Sequence, residues 1–274
     1  MLQTRWWQVK LGPWLRREKD SRLYLSQFQS LAGEVGGIRR ICLLAKQNFL
    51  EEPKDLAKPP EKVGIVRFTG WGDYFTRLEN YADIVRRDIH SAVHPHCRKQ
   101  IIAHSGDLPE IGFHVRRGDF RVANTNSQFR NEGGLQTPME WYSRILREIR
   151  NAAGRDVPAF VVSDGSDEDL RPLLEAKSVR RIDTGSAIGD LVILSKSKLL
   201  VGAGGSSFSA WGAFLGNTPV LTCEGQSLSW FGLTNGIAGG LVATVSLEKV
   251  EQKDLQTISI AVEVLRNDSK ITPD

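Results

Sequence analysis

Between Ile111 and Thr222 the chain repeats one pattern: a short apolar run, a polar or glycine-rich turn, then a segment with helical spacing. The runs are Ile111 to Val115, Ala159 to Val162, Val179 to Ile182, Leu199 to Val201 and Pro219 to Thr222. They read as short buried strands, bounded by turn residues. Strands alternating with helices build a parallel sheet with helices on both faces. Because each special turn follows a strand, all of the turns collect on the carboxyl edge of that sheet. Open α/β sheets bind their ligands at this edge. The fold class expected is α/β, with a Rossmann-type parallel sheet in the carboxyl-terminal half.

The first turn is Arg116-Arg117-Gly118-Asp119, preceded by His114. The two guanidinium groups offer planar forks suited to phosphate oxygens, and Gly118 permits a tight turn or a close approach. The second is Ser163-Asp164-Gly165, and the third Asp183-Thr184-Gly185. The fourth, Gly202-Ala203-Gly204-Gly205-Ser206-Ser207, leads into a helix from about Phe208 to Leu215. A glycine-rich turn opening a helix presents backbone N–H groups to a phosphate. It carries neither the Walker pattern nor the full dinucleotide fingerprint, and a tight turn with a serine N-cap is the plainer reading. Arginines on one turn and the glycine-serine loop on another make a two-sided clamp. Charge-assisted hydrogen bonds contribute roughly 1.5–3 kcal/mol each, so such a clamp selects a nucleotide diphosphate over a neutral sugar.

Between these turns, Arg121 to Gly134 reads as a long polar loop. Thr137-Pro138-Met139-Glu140 reads as a helix start, with Thr137 as N-cap and Glu140 closing a capping box. Ser166 is a second candidate cap, with Asp167, Glu168 and Asp169 behind it. A short helix is expected over Asp190 to Lys196, and a closing one over Leu247 to Leu265.

Ahead of Ile111 the pattern is looser. Helical spacing recurs from Ser30 to Phe49, and Glu51 to Lys62 is a charged, proline-rich linker. Val63 to Thr69 reads as a strand and Leu78 to His90 as an amphipathic helix. Gly70-Trp71-Gly72-Asp73-Tyr74-Phe75 sets aromatics between glycines, which suits a sugar floor and a core plug equally. His90, His94, His96 and Cys97 raise a metal site, but Pro95 interrupts the spacing and no carboxylate completes a familiar set. No metal and no cofactor are expected. Three widely spaced cysteines, Cys42, Cys97 and Cys223, give no disulfide framework and point to a reducing compartment. The expected location is cytoplasmic, since the amino terminus shows no apolar signal core. Trp6, Trp7 and Trp14 among Arg5, Lys10, Arg16, Arg17 and Lys19 suit peripheral contact with the inner face of a membrane, or packing of an amino-terminal helix on the body. A net charge of +4 favours an anionic ligand without demanding nucleic acid, and nucleic acid is not expected as a partner.

His114-Val-Arg-Arg-Gly-Asp119 resembles the HxRRGD signature of the α-1,2-fucosyltransferases and of the related α-1,6 and protein O-fucosyltransferases. Ser163-Asp164 is similar to their second motif, and Asp190 through Leu215 to their third. Where the α-1,2 group has an Asn-Ser-Ser/Thr-Phe-Ser-Trp-Trp core, this chain reads Gly-Ser-Ser-Phe-Ser-Ala-Trp. The resemblance covers about residues 63 to 235.

It implies a GT-B-like fold with a carboxyl-terminal GDP-sugar domain, 106–274, and a smaller acceptor-side domain, 1–105, with truncation as one reading of its length. It implies inverting transfer of fucose from GDP-fucose to a sugar hydroxyl of a surface glycan, the α-1,2 linkage to a galactoside foremost. Carried over by position, Arg116 grips the β-phosphate, with His114 and Arg117 beside it. Asp190 reads the guanine edge, and Ser206 and Ser207 complete the phosphate contacts. Asp119 and Asp164 shape the loops, Asp119 being also a candidate base with Asp73, Glu79 and Glu132. The family's Gly-Gly-Leu-Gly-Asn-Gln segment is missing, with Ser26-Gln27-Phe28-Gln29 at most echoing its tail. The alternative is a catalytically impaired relic that binds the donor. Arg117-Gly118-Asp119 as an adhesion tripeptide is a third reading.

Overall fold

A computed structural model describes residues 27–29, 35, 37–46, 49–50, 65–66, 74–233 and 241–266. The tryptophan-rich amino terminus, the proline-rich linker and Gly70 to Asp73 lie outside these residues.

Six strands form one parallel sheet: β3 (Ile111–Val115), β4 (Ala159–Ser163), β5 (Val179–Arg181), β6 (Leu199–Val201), β7 (Val220–Cys223) and β8 (Val242–Val245). Two further short strands, β1 (Phe49–Leu50) and β2 (Ile65–Val66), pair with each other in parallel. The large sheet runs β5-β4-β3-β6-β7-β8. Counted from its first strand this is the order 3-2-1-4-5-6, the doubly wound arrangement of dinucleotide-binding domains. Chain order reverses direction between β3 and β6, so their carboxyl ends flank the crevice in which such sheets hold ligands. Phe113 lies opposite Val201 in that pairing, so β3 runs two residues past the end of β6 before reaching Arg116.

Alternation along the strands sorts side chains to two cores. Ile111, Phe113, Val115, Ala159, Val161, Leu199, Val201, Leu221 and Cys223 face one side. There they meet α5 (Met139–Ala153), α6 (Asp167–Leu174) and α9 (Gln252–Arg266). Phe160, Val162, Leu200 and Val220 face the other. That side is covered by α2 (Ala82–Ala92), α3 (Pro95–Ser105), α7 (Ala187–Leu194) and α8 (Ser207–Gly216). Phe75, Val93, Cys97 and Ile101 belong to this second core. Residues assigned from sequence to the amino-terminal unit therefore share their packing with α7 and α8.

Most expected elements stand within a residue or two, with instructive exceptions. α1 (Gly37–Ala45) occupies the middle of the expected amino-terminal helix. Leu78 to His90 is a 3₁₀ turn, Thr76–Tyr81, followed by α2. Pro95 does not break a helix but begins one: it sits in the first turn of α3, where its missing N–H costs nothing, and His94 Nδ1 accepts from His96 N–H at 3.3 Å. The polar stretch after β3 contains a short helix, α4 (Asn126–Asn131), with Thr125 as its side-chain cap. Thr137 is not a side-chain cap for α5, whose start at Pro138 has none. Ser166 is one, in a reciprocal capping box with Asp169. Among the described residues no group of three His, Cys, Asp or Glu could hold a metal ion, and no helix is long and apolar enough to cross a membrane.

Candidate functional site

The turn after β3 is folded around one carboxylate from the turn after β4. Asp164 Oδ1 accepts the backbone N–H of Arg117 at 2.7 Å, and Oδ2 accepts that of Gly118 at 3.1 Å. Oδ2 also lies 2.7 Å from the Arg116 guanidinium. Consecutive N–H groups converging on an anion form a nest, and here the anion is internal. Gly118 is required by this closeness, because a Cβ there would lie 2.5 Å from Asp164 Oδ2.

Arg116 spans two carboxylates. Its Nη1 holds Asp164, while Nε and Nη2 share one oxygen of Asp119 at 2.9 and 2.7 Å. The side chains of Arg116, Asp164 and Asp119 are 29%, 14% and 68% exposed. Asp164 is thus the built-in partner, and Asp119 the solvent-side one. Exposed ion pairs are worth about 0–1 kcal/mol, so the Nε/Nη2 edge is open to exchange with another anion. The ring of Phe120 lies 5.9 Å below the guanidinium. Arg117 turns away: its Nη1 donates to Gln136 Oε1 at 3.0 Å, and Gln136 Nε2 donates back to the carbonyls of Arg117 and Phe120. It braces the turn. Arg117-Gly118-Asp119 is tied into this network, with Arg117 half-buried and Gly118 and Asp119 exposed.

His114, on the second-core face of β3, is buried. Its Nδ1 is 2.7 Å from Ser209 Oγ, and its ring stacks on Phe208 at 4.8 Å. Its carbonyl accepts from the Tyr142 hydroxyl at 3.3 Å. Burial pushes the Tyr142 phenol far up, which keeps it a donor. His114 thereby ties the end of β3 to the first turn of α8 across the crevice.

The glycine-serine loop forms the facing wall, with Ser206 buried and Ser207 exposed. Ser206 starts α8 without a side-chain cap bond. Two glycines here have packing reasons. A Cβ on Gly204 would fall 1.5 Å from the Gln226 carbonyl oxygen, and one on Gly202 would meet Ser209 at 3.0 Å. Gly205 has φ +68°, the left-handed region that favours glycine. Gln226 donates from Nε2 to the carbonyls of Phe129 and Glu132, linking this wall to α4.

Asp190 is 2% exposed. Its Oδ1 accepts the backbone N–H and the hydroxyl of Thr184, each at 2.8 Å. The carboxylate folds the turn after β5 onto α7. Beside it, Gln27 Oε1 accepts from Ile188 N–H at 2.8 Å, so the echoed segment does reach the start of α7. Of the candidate bases, Asp119 is engaged with Arg116, and Glu132 bonds Arg121 and Gln128. Asp73 and the side chain of Glu79 lie outside the described residues. Sequence reasoning did not single out Ser209, Gln226, Gln136 or Thr184. Ser209 sits inside the third quoted motif and was within reach, while the other three act through partners 6 to 97 positions away.

No family model and no curated protein matches the chain. Among solved structures it is similar to the E. coli heptosyltransferase WaaC with ADP, at 14% identity over 61% of this chain and 48% of that one, TM-score 0.37. POFUT1 in complex with GDP is similar at 17% identity over 51% and 49%, TM-score 0.35. NodZ alpha-1,6-fucosyltransferase soaked with GDP-fucose is similar at 19% over 50% and 46%, TM-score 0.34. The chain spans about half the length of these proteins.

Proposed function

We propose that the crevice between β3 and β6 binds the diphosphate of GDP-fucose, and that the chain is a GT-B-type inverting fucosyltransferase acting on a sugar hydroxyl. The observation that carries this reading is positional. The His-x-Arg-Arg-Gly-Asp turn and the glycine-serine loop flank the switch point of a 3-2-1-4-5-6 sheet. A diphosphate entering there takes the Nε/Nη2 edge of Arg116 now occupied by Asp119. It meets Ser206, Ser207 and the first N–H groups of α8 on the opposite wall.

In the reaction proposed, an acceptor oxygen attacks C1 of fucose from the face opposite the nucleotide. The bond from C1 to the β-phosphate oxygen breaks, and negative charge grows on the GDP that departs. Arg116 receives that charge where it develops, which lowers the barrier. The acceptor's hydroxyl proton passes to a base, for which Asp119, Glu132, Asp73 and Glu79 remain the proposed set. His114, Arg117 and Asp164 position the phosphate wall. Asp190 serves the guanine end by holding the turn after β5. The galactoside α-1,2 linkage and the two-domain division are proposed from the motif resemblance, and a cytoplasmic location, with peripheral contact at the membrane's inner face, from the cysteine usage and the composition of the amino terminus. A second reading is a donor-binding relic, favoured by the missing Gly-Gly-Leu-Gly-Asn-Gln segment.

The test is a thermal-shift panel of GDP, GDP-fucose, GDP-mannose and UDP-sugars, followed by calorimetry on Arg116→Ala. A ligand at 100 times its Kd stabilises by about 2.7 kcal/mol. The expected result is a shift with GDP and GDP-fucose that Arg116→Ala abolishes while the fold persists. Undiminished affinity in that variant, or a response to UDP-sugars instead, overturns the assignment. Turnover with a galactoside acceptor separates the enzyme from the relic.

A further inference from the structure

The turn after β7 carries an aromatic surface that the donor site does not use. Leu228, Phe231 and Leu233 are buried and pin this turn to the second core, while Trp230 between them is 67% exposed. The indole is not isolated. Its ring lies 5.2 Å from that of Tyr74, tilted by 50°, and 4.9 Å from Phe231. Tyr74 in turn meets Phe231 edge-on at 5.0 Å, and the Phe75 N–H donates to the Phe231 carbonyl at 3.2 Å. Tyr74 holds φ +49°, a left-handed conformation that a tyrosine rarely adopts and that costs of order 1–3 kcal/mol. A backbone held against its preference, a pinned turn and an exposed indole together describe a surface built to present an aromatic face.

Its position says what that face meets. Gln226, whose carbonyl abuts Gly204, is four residues before Trp230, so the two Cα atoms are at most about 14 Å apart. The platform is therefore at most about 14 Å from the residue that abuts the glycine-serine wall of the proposed crevice. We infer that Trp230, supported by Tyr74, is the stacking platform for the acceptor: a pyranoside whose apolar C–H face lies on the indole while a ring hydroxyl points toward the donor. This rests on the donor reading above and extends it to the second substrate. Aromatic faces suit that task because they present a large, rigid contact area with few rotatable bonds to order.

Two ligands titrated separately test it, GDP and the soluble disaccharide lactose with N-acetyllactosamine as a second probe, observed by saturation-transfer NMR and calorimetry. In the intact chain, GDP is expected to bind with or without the disaccharide. The disaccharide should contact aromatic protons and lose at least tenfold in affinity in Trp230→Ala. Trp230→Phe should recover most of that loss, and GDP affinity should be the same in all three proteins. Disaccharide binding indifferent to Trp230→Ala, or no disaccharide binding while GDP binds, overturns the platform and leaves the donor site standing. Absence of GDP binding in the intact chain overturns the donor reading and the platform with it.

Discussion

Asp119 and Asp164 look interchangeable in sequence, each an aspartate beside a glycine in a turn, yet they do opposite things to Arg116. Asp164 is the fixed partner, bound to two backbone N–H groups as well as the guanidinium. Asp119 touches only the outer edge of the fork among the contacts that define the turn, and two-thirds of its side chain is in water. In the proposed donor complex a phosphate oxygen takes its place. Asp119→Asn is therefore expected to raise GDP affinity roughly two- to five-fold, the ~0.4–1 kcal/mol of an exposed ion pair, measured by calorimetry. A tenfold loss would mean that Asp119 is needed to aim the arginine. The arginine pair was legible as a charged turn at a strand end, and the two side chains part company there: Arg117 bonds Gln136, while Arg116 lies between Asp164 and the solvent-side Asp119. The division of labour between the aspartates was not legible, because it depends on contacts up to 48 positions apart.

At the scale of elements, β3 is fixed at both ends by charge. At its amino end Glu110 holds Arg155 through two bonds of 2.7 and 2.9 Å and Lys198 at 3.2 Å. The Arg155 hydrogen bond, helped by Lys198, keeps the Glu110 carboxyl below the usual carboxylate range against an opposing effect of burial. A carboxylate with a lowered folded-state pKa contributes stability that is present above its unfolded value, about 4.3. That contribution disappears as pH falls through the folded value. Glu110→Gln should cost about 1–3 kcal/mol at pH 7, and the gap to the parent should close on acidification below pH 4, followed by thermal melts. On the neighbouring strand, the glycine loop that follows β6 gives a sharper test. If Gly204 served only ligand approach, Gly204→Ala would leave the free protein unchanged. The Gln226 carbonyl in its path predicts a loss of about 1–3 kcal/mol without any ligand. The central strands were legible because a strand buried on both faces must be apolar throughout. β8 escaped because it lies at the sheet edge and only Val245 is fully buried. α3 escaped because its buried residues number two, Cys97 and Ile101, too few to print a period.

On the scale of the whole molecule, the sheet is one scaffold with two cores, and the second core reaches back to Phe75. Phe75, Val93, Cys97 and Ile101 are part of that core, so the packing of the sheet extends to residues ahead of 105. Thr184–Asp190 and Gln226–Glu132 then close two outer turns onto that scaffold, and His114–Ser209 bridges its centre. Most of the carboxyl edge is thus bonded to itself before any ligand arrives. The Asp164 carboxylate has a consequence here that lies in entropy rather than charge. By filling the nest of Arg117 and Gly118, it orders the arginine turn during folding. A ligand entering the crevice then has only a side chain and its water to rearrange, and the cost of fixing that backbone has already been met when the chain folded.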